Sequence, residues 1–179
     1  MKKISAIIAC YKDAEAIPEM HQRLTSVLTK TKFDYEIIFV NDGSPDNSEI
    51  ILDKICQEDK KVTAVFHSRN FGTDNAFSSG MVQSDSDAVI LLDGDLQDPP
   101  ELIPDLIAKW QDGYEVVYGE KKEREGPKIM NFFYKLFYII FEFHHNIFDS
   151  DKKNNLFTVL KNKNFKLVSK CFNSYYFAK

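Results

Sequence analysis

Short apolar runs alternate with amphipathic segments over roughly the first 120 residues of the chain. The apolar runs are rich in β-branched and aromatic side chains, as buried strands are, whereas the segments between them repeat apolar positions at the helical period. Because strands that alternate with helices build βαβ units, the pattern predicts an α/β fold around a mostly parallel sheet. Strands are predicted at 4–9, 35–40, 62–66, 87–92 and 115–118, and helices at 17–28, from a cap at Ser44 or Asp46 to Cys56, at 73–83 and at 100–111.

The pattern changes after Gly126. Residues 129–148 are dense in aromatic side chains and contain Lys135 and Glu142 as their only formal charges, and a tail rich in Lys, Asn and Phe follows. We therefore predict a domain boundary near residue 126, with an α/β domain at 1–126 and an aromatic helix plus a basic tail at 127–179. The apolar stripe of that helix would either lie on a membrane surface or a partner subunit, or pack onto the sheet as core.

Polar residues follow four of the predicted strands. Ligands of mostly parallel sheets bind beyond the carboxyl ends of the strands. The loops after Ala9, Val40, Phe66 and Leu92 are therefore the candidate binding loops.

The loop after Leu92 carries two carboxylates, Asp93 and Asp95, separated by Gly94. Two carboxylates at this spacing converge on one divalent cation, and a hard cation such as Mg²⁺ prefers oxygen ligands and keeps positions open for substrate phosphates. The alternative for an isolated pair is a solvent-facing turn. The position directly after a buried strand, followed by Gln97, Asp98 and a helix that begins with proline, favours the metal site.

Four segments together resemble the motifs of family 2 glycosyltransferases with the GT-A fold. They are ACYKD from Ala9, FVNDGSPDNS from Phe39, HSRNFGTDNAFSSG from His67 and LLDGDLQDPPELIP from Leu91. In order and spacing they look most like the branch of dolichol-phosphate mannose synthase and bacterial polyprenyl-phosphate glycosyltransferases, over about residues 1–125. The resemblance implies a three-layer α/β/α sandwich that binds a UDP- or GDP-sugar with Mg²⁺ or Mn²⁺.

The resemblance also implies which residues bind the nucleotide. With Ala9 at the end of the first strand, Tyr11 and Asp13 resemble the positions that contact the base and ribose. Asp42 resembles the carboxylate that accepts hydrogen bonds from the base; its alternative role is that of a turn residue bonded to its own backbone. The loop that closes around the nucleotide would consist of Arg69, Asn70 and Gly72. For Arg69 a surface salt bridge is the alternative.

Catalysis is implied for the loop after the fourth strand. Asp93, next to Gly94, would face the ribose or the donor sugar, and Asp95 would hold the metal with Gln97 as a further ligand. A mixed-charge loop further along resembles the segment where relatives carry basic residues near the donor and lipid phosphates. Its candidates are Lys122 and Arg124, and the alternative is a solvated loop without a binding role.

The chain departs from the family pattern in several places. Ala9, Lys12 and Asp13 stand where Pro, Asn and Glu are usual, and Thr73 stands where a basic residue is common. Residues 154–160, which are closest to the acidic acceptor motif of longer relatives, have no carboxylate at the matching position. No general base can be named, but polyprenyl phosphate is itself a charged nucleophile and needs no strong base.

Charge and cysteine content narrow the class of protein. The net charge of −4 argues against a nucleic-acid partner, although residues 151–179 carry seven lysines and one aspartate and could favour an anionic surface. Three widely spaced cysteines indicate a reducing compartment rather than disulfides or zinc. Neither a signal peptide nor a spanning segment is visible, so we expect a cytoplasmic protein, peripheral at the inner face of the membrane.

The sequence therefore predicts a metal-dependent hexosyltransferase that acts on a polyprenyl-phosphate or glycan acceptor. The alternative from another class is a truncated, non-catalytic module that binds a nucleotide or a partner. A nucleotidyltransferase would need a Gly-rich basic loop after the first strand, and residues 9–13 contain no glycine.

Overall fold

The computed structural model describes residues 1–119 and 158–161. The order of elements follows the predicted alternation of strands and helices, and within the described residues one 3₁₀ turn precedes the fourth helix. The strands are β1 (Lys3–Cys10), β2 (Asp34–Asn41), β3 (Val62–Phe66), β4 (Ala88–Asp93), β5 (Val116–Tyr118) and β6 (Thr158–Lys161), and the helices are α1 (Ile17–Leu28), α2 (Ser48–Glu58), α3 (Thr73–Gln83) and α4 (Ile103–Gln111).

Within the described residues the strands form one six-stranded sheet in the order β3-β2-β1-β4-β6-β5. The pairs of β1 with β2, β1 with β4 and β2 with β3 are parallel, and β6 runs antiparallel to both β4 and β5. The chain moves outward from β1 to β3 and then returns to β4 on the other side of β1. The carboxyl ends of β1, β2 and β4 therefore lie next to one another at one edge of the sheet, where ligands of such sheets bind.

Side chains of β1 alternate between two cores. Ile8 points into a cluster with α1, α2 and α4, whereas Ile7 points into a second cluster with α3, and both are fully buried. Complete burial of an aliphatic side chain contributes about 1.5–3 kcal/mol. The predicted α/β fold with helices on both faces of a mostly parallel sheet is thus confirmed.

Proline lies in the first turn of two helices, but only the first of these helices has its predicted bounds. Pro18 lies in the first turn of α1, which matches its predicted bounds. The helix predicted at 100–111 is divided into a 3₁₀ turn at Pro100–Leu102 and α4. Pro104 has no N–H to donate to the Pro100 carbonyl, and the Ile103 N–H donates to it instead, three residues away.

The cap predicted for α2 also differs. The residue before its first turn is Asn47, whose side chain makes no capping bond. Asp46, the residue before Asn47, nevertheless accepts the Ser48 N–H at 3.0 Å. Its carboxylate thus binds a backbone donor of the first turn that has no partner within the helix.

The sequence prediction of five strands missed β6. This strand pairs with β4 from Ala88 to Leu91 and with all three residues of β5, and so covers an edge that β4 would otherwise expose. Its four residues lie in a lysine-rich stretch and carry no alternation long enough to identify them. The predicted boundary near residue 126 and the aromatic segment 129–148 lie outside the described residues and remain predictions.

Candidate functional site

A cleft of about 350 Å³ lies at the carboxyl ends of β1, β2 and β4. The loops after these three strands and the loop between β3 and α3 supply its walls. Nine of the predicted site residues line it together with two that the prediction missed: Ala9, Tyr11, Asp13, Asp42, Asn70, Gly72, Asp93, Gly94 and Asp95, with Cys10 and Thr73. The structure therefore brings the four sequence motifs to one place, although they are spread over some 90 residues of chain.

The two missed residues adjoin predicted ones in the sequence. Cys10 is almost fully buried between Ala9 and Tyr11, and Thr73 is the first residue of α3, directly after Gly72. Each lies inside one of the quoted motif segments, and that position was the signal that could have identified it.

Two predicted residues do not line the cleft. The Arg69 guanidinium lies over the ring of Phe71, 4.4 Å from its centroid. The Gln97 N–H donates to the Asp95 carboxylate at 3.0 Å, so the Gln97 backbone is bonded to its neighbour. Lys122 and Arg124 lie outside the described residues.

The turn after β2 holds the loop after β1. Ser44 Oγ accepts the Lys12 N–H at 2.8 Å, and Asp46 Oδ2 accepts the Ala14 N–H at 3.1 Å. Lys12 adopts a left-handed conformation with φ of 66°, and Tyr11 before it lines the cleft with 40% of its surface exposed. The Asp46 carboxylate also accepts bonds from Ser44 and Ser48. Burial would raise its pKa, but these hydrogen bonds outweigh burial and lower the pKa to about 2.

Asp42 organises the loop between β3 and α3. Its carboxylate, only 4% exposed, accepts a hydrogen bond from His67 Nδ1 at 2.7 Å, from the Phe71 N–H at 2.9 Å and from the Gly72 N–H at 2.8 Å. Burial would raise the pKa of Asp42, but the bonds from His67 and the two backbone amides lower it overall. The carboxylate is therefore ionised at neutral pH.

Gly43 allows the same loop to approach the turn. A Cβ at this position would lie 2.3 Å from the Arg69 carbonyl carbon and 2.7 Å from the Asn70 nitrogen, and the φ of Gly43 is +64°. No other residue type satisfies both the conformation and the contact.

The loop after β4 packs directly on the end of β1. The Gly94 N–H donates to the Ala9 carbonyl at 2.9 Å, and a Cβ on Gly94 would lie 2.9 Å from Asp13 Oδ2 and 3.0 Å from Cys10 Sγ. The close contact explains the glycine between the two aspartates. It also places Asp13 next to the aspartate pair.

Negative charge accumulates in the cleft. The pKa of Asp13 is raised because burial disfavours its charge and because Asp95 and Asp46 repel it, against a lowering bond from the Tyr11 N–H. Burial, followed by repulsion from Asp13, Asp46 and Asp93, raises the pKa of the Cys10 thiol far enough to keep it protonated at neutral pH. Repulsion of this kind is relieved by a bound cation.

The donor set fits a divalent cation that shares its coordination with a substrate. Asp93 and Asp95 both line the cleft and offer oxygen ligands. Across residues 1–119 and 158–161 no group of three or more His, Cys, Asp and Glu side chains is placed to hold a metal by itself. Mg²⁺ and similar ions are held by one or two carboxylates plus substrate phosphates, which matches this arrangement.

The sequence profile described as "Glycosyl transferase family 2" matches residues 5–167. The chain belongs to this family. Family 2 relatives include an uncharacterised glycosyltransferase of Bacillus subtilis, 44% identical over 122 residues, which are 68% of this chain and 38% of the relative. An undecaprenyl-phosphate 4-deoxy-4-formamido-L-arabinose transferase of Proteus mirabilis is 39% identical over 70% of this chain and 39% of the relative. A bactoprenol glucosyl transferase of Shigella phage SfV is 37% identical over 75% of this chain and 45% of its own length.

Solved structures support the same fold. A mannosyltransferase from Pyrobaculum calidifontis, in complex with GDP-Man and Mn²⁺, matches 93% of this chain and 46% of its own with a TM-score of 0.60 at 15% identity. A glucosyl-3-phosphoglycerate synthase from Mycobacterium tuberculosis, with UDP, matches 90% of this chain and 57% of its own with a TM-score of 0.60 at 15% identity. The family 2 chain therefore has the GT-A fold.

The chain spans less than half the length of these curated family 2 relatives. In the part of the chain that the structure describes, no helix is both long and apolar enough to cross a bilayer.

Proposed function

We propose that this chain forms the donor site of a glycosyltransferase that moves a hexose from a UDP- or GDP-sugar to a polyprenyl-phosphate or glycan acceptor. The observation that carries the proposal is the cleft that Asp93 and Asp95 share with Tyr11 and Asp42. Such a cleft provides two carboxylates for a cation beside a polar and aromatic wall for a nucleoside. The relatives named for undecaprenyl phosphate and bactoprenol support the acceptor class.

Each wall has a distinct task in this proposal. Tyr11 offers an exposed ring and Asp42 an ionised carboxylate to the base and ribose, while Asn70 and Gly72 close the opposite side. Asp95 would hold Mg²⁺ or Mn²⁺ with Gln97 nearby, and Asp93 would face the ribose or the donor sugar. The cation would neutralise the charge that develops on the departing diphosphate.

Transfer of the sugar to a lipid phosphate does not require a strong general base from the protein. The bond between the sugar C1 and the diphosphate oxygen breaks with its electron pair left on the nucleoside diphosphate, and an acceptor oxygen bonds to C1. If the acceptor is a lipid phosphate, the attacking oxygen already carries charge and no strong base is required. Lys122 and Arg124 are proposed to lie near these phosphates, and segment 129–148 is proposed to hold the protein at the cytoplasmic face of the membrane.

Calorimetric titration tests the donor site. UDP and GDP are titrated with and without Mn²⁺ into the wild type, Asp95→Asn and Asp105→Asn. Asp105 is an exposed carboxylate on α4, so its variant controls for the loss of one charge. We expect one nucleotide to bind only with Mn²⁺, unchanged in Asp105→Asn and lost in Asp95→Asn. Absence of binding to a folded wild type would refute the donor site.

A transfer assay separates the enzyme from the binding module. Radiolabelled UDP-hexose and GDP-hexose are incubated with the protein, Mn²⁺ and undecaprenyl phosphate in detergent. Labelled lipid supports transfer to polyprenyl phosphate. Metal-dependent nucleotide binding without transfer to this lipid, or to a glycan acceptor added in its place, favours the non-catalytic alternative.

A further inference from the structure

The side chain of His67 connects two parts of the chain that the donor site depends on. Its Nδ1 lies 2.7 Å from Asp42 Oδ1, and its Nε2 lies 2.8 Å from Ser79 Oγ on α3. His67 is 11% exposed and Asp42 only 4%. We propose that His67 is a positioning residue that joins α3 to Asp42 and thereby holds residues 67–72 in the conformation that binds the donor nucleotide. The part of the proposal that concerns the nucleotide rests on the proposed function.

The chemistry of Asp42 determines the direction of its bond with His67. Asp42 is ionised and can only accept, so Nδ1 of His67 carries a proton and donates. Nε2 shares the second hydrogen bond with the Ser79 hydroxyl at 2.8 Å. The imidazole is consequently held at both ends, which fixes the orientation of the ring.

The contacts of Asp42 extend this order to the loop. The same carboxylate that accepts from His67 also accepts the N–H groups of Phe71 and Gly72. The ring of Phe71 meets the ring of His67 edge-on, with centroids 5.4 Å apart at 89°. Removal of the imidazole would leave Asp42 with less compensation for its burial and take away the surface on which Phe71 packs.

The loop that is held in this way forms one wall of the cleft. Asn70 and Gly72 line the cleft, and the Asn70 nitrogen lies against Gly43. A binding loop that is already ordered loses less conformational freedom when a ligand binds, so the affinity is higher. His67 therefore acts on the nucleotide through Asp42 and the loop and does not touch the ligand.

The connectivity of Ser79, His67 and Asp42 is that of a serine nucleophile with its base and orienting acid. The described residues that line the cleft do not include Ser79, which lies near the middle of α3. A hydroxyl that does not line the cleft cannot attack a substrate bound there, which favours the positioning role.

The test compares three variants of the full chain with the wild type. His67→Leu removes both hydrogen bonds at similar size, and His67→Asn keeps a donor near the position of Nδ1. His21→Leu is the matched control, because His21 on α1 forms a similar pair at 2.9 Å with Asp59, the residue directly after α2. UDP and GDP affinities with Mn²⁺ are measured by calorimetry, and amide hydrogen exchange is measured across residues 67–72.

We expect His67→Leu to weaken nucleotide binding by about tenfold or more and His67→Asn to recover part of the loss, as the loss of a charge-assisted hydrogen bond predicts. The Phe71 and Gly72 amides should exchange faster in His67→Leu, whereas His21→Leu should change neither quantity. Wild-type affinity and unchanged exchange in His67→Leu would overturn the positioning role.

Failure of the proposed function and failure of the positioning role of His67 give different results. If the folded wild type binds neither nucleotide, the proposed function fails, and hydrogen exchange alone decides whether His67 orders the loop. Faster exchange in His67→Leu than in His21→Leu supports that role, and equal exchange overturns it.

Discussion

The Gly94 N–H donates to the Ala9 carbonyl at 2.9 Å, so the turn between the two aspartates is a direct extension of the pairing of β1 with β4. The same turn leaves no room for a side chain, because a Cβ would meet Asp13 Oδ2 at 2.9 Å. The positions of Asp93 and Asp95 relative to the end of β1 therefore depend on the absence of a side chain at residue 94.

Gly94→Ala is expected to displace this turn. Overpacking of a tight contact costs about 1–3 kcal/mol in the free energy of unfolding, and the displaced carboxylates should lower nucleotide affinity in the presence of Mn²⁺. Urea unfolding and calorimetry measure the two effects. Gly113→Ala is the control: its φ of +103° predicts a loss of stability, but nothing lies within 4 Å of its Cβ, so affinity should be kept. Full affinity in Gly94→Ala would contradict the packing argument.

Lys12 is strained by its left-handed conformation. A non-glycine residue there costs about 1–2 kcal/mol, and Asn and Gly tolerate it best. With φ of 66° at this position, we expect Lys12→Gly and Lys12→Asn to raise the free energy of unfolding by up to about 1 kcal/mol. Lys30→Gly, at an exposed residue whose φ is not positive, should lower it. Thermal and urea unfolding measure whether each variant raises or lowers the free energy of unfolding. A loss of stability in both Lys12 variants would refute the strain.

Acid should destabilise the protein through Asp46. The pKa of Asp46 is about 2 in the folded state, below the ordinary value of 3.8 that applies in the unfolded state. Ionised Asp46 therefore stabilises the fold above pH 3.8, and this stabilisation is lost as the pH falls from about 4 towards 2. Asp42 shifts in the same direction. Urea unfolding between pH 5 and pH 2 should therefore show a shallower decline for Asp46→Asn than for the wild type or Asp105→Asn. Parallel declines in all three would disprove the contribution of Asp46.

The number of free acceptor positions on Asp42 predicts which nucleotide base binds. Oδ1 already accepts two hydrogen bonds and Oδ2 accepts one, and an ionised carboxylate has about four acceptor positions, so roughly one remains. Uracil presents a single imide N–H, whereas guanine presents two adjacent donors that need a pair of free acceptors. If Asp42 contacts the base as proposed, UDP should bind at least about tenfold more tightly than GDP. Comparative calorimetry measures this, and equal or tighter binding of GDP would reject the prediction.

Elements with a strong local signal were predictable to the residue. The bounds of α1, β3 and α3 coincide with the prediction, because their start and stop signals are local: Pro18 opens α1 and Gly72 precedes α3. Most of the cleft was likewise predictable from four motifs, because the carboxyl ends of parallel strands meet at one edge of a sheet.

The sequence by itself determined the α/β alternation, the membership of the family and most residues of the cleft, because hydrophobic period, turn chemistry and motif spacing are properties of short segments. Only the tertiary structure decided that β6 lies between β4 and β5, and that Arg69 packs on Phe71 instead of lining the cleft. The bond from His67 to Asp42 also belongs to the tertiary structure, since 25 residues separate the two in sequence. Contacts of this kind depend on which strands become neighbours, and no local pattern of side chains contains that information.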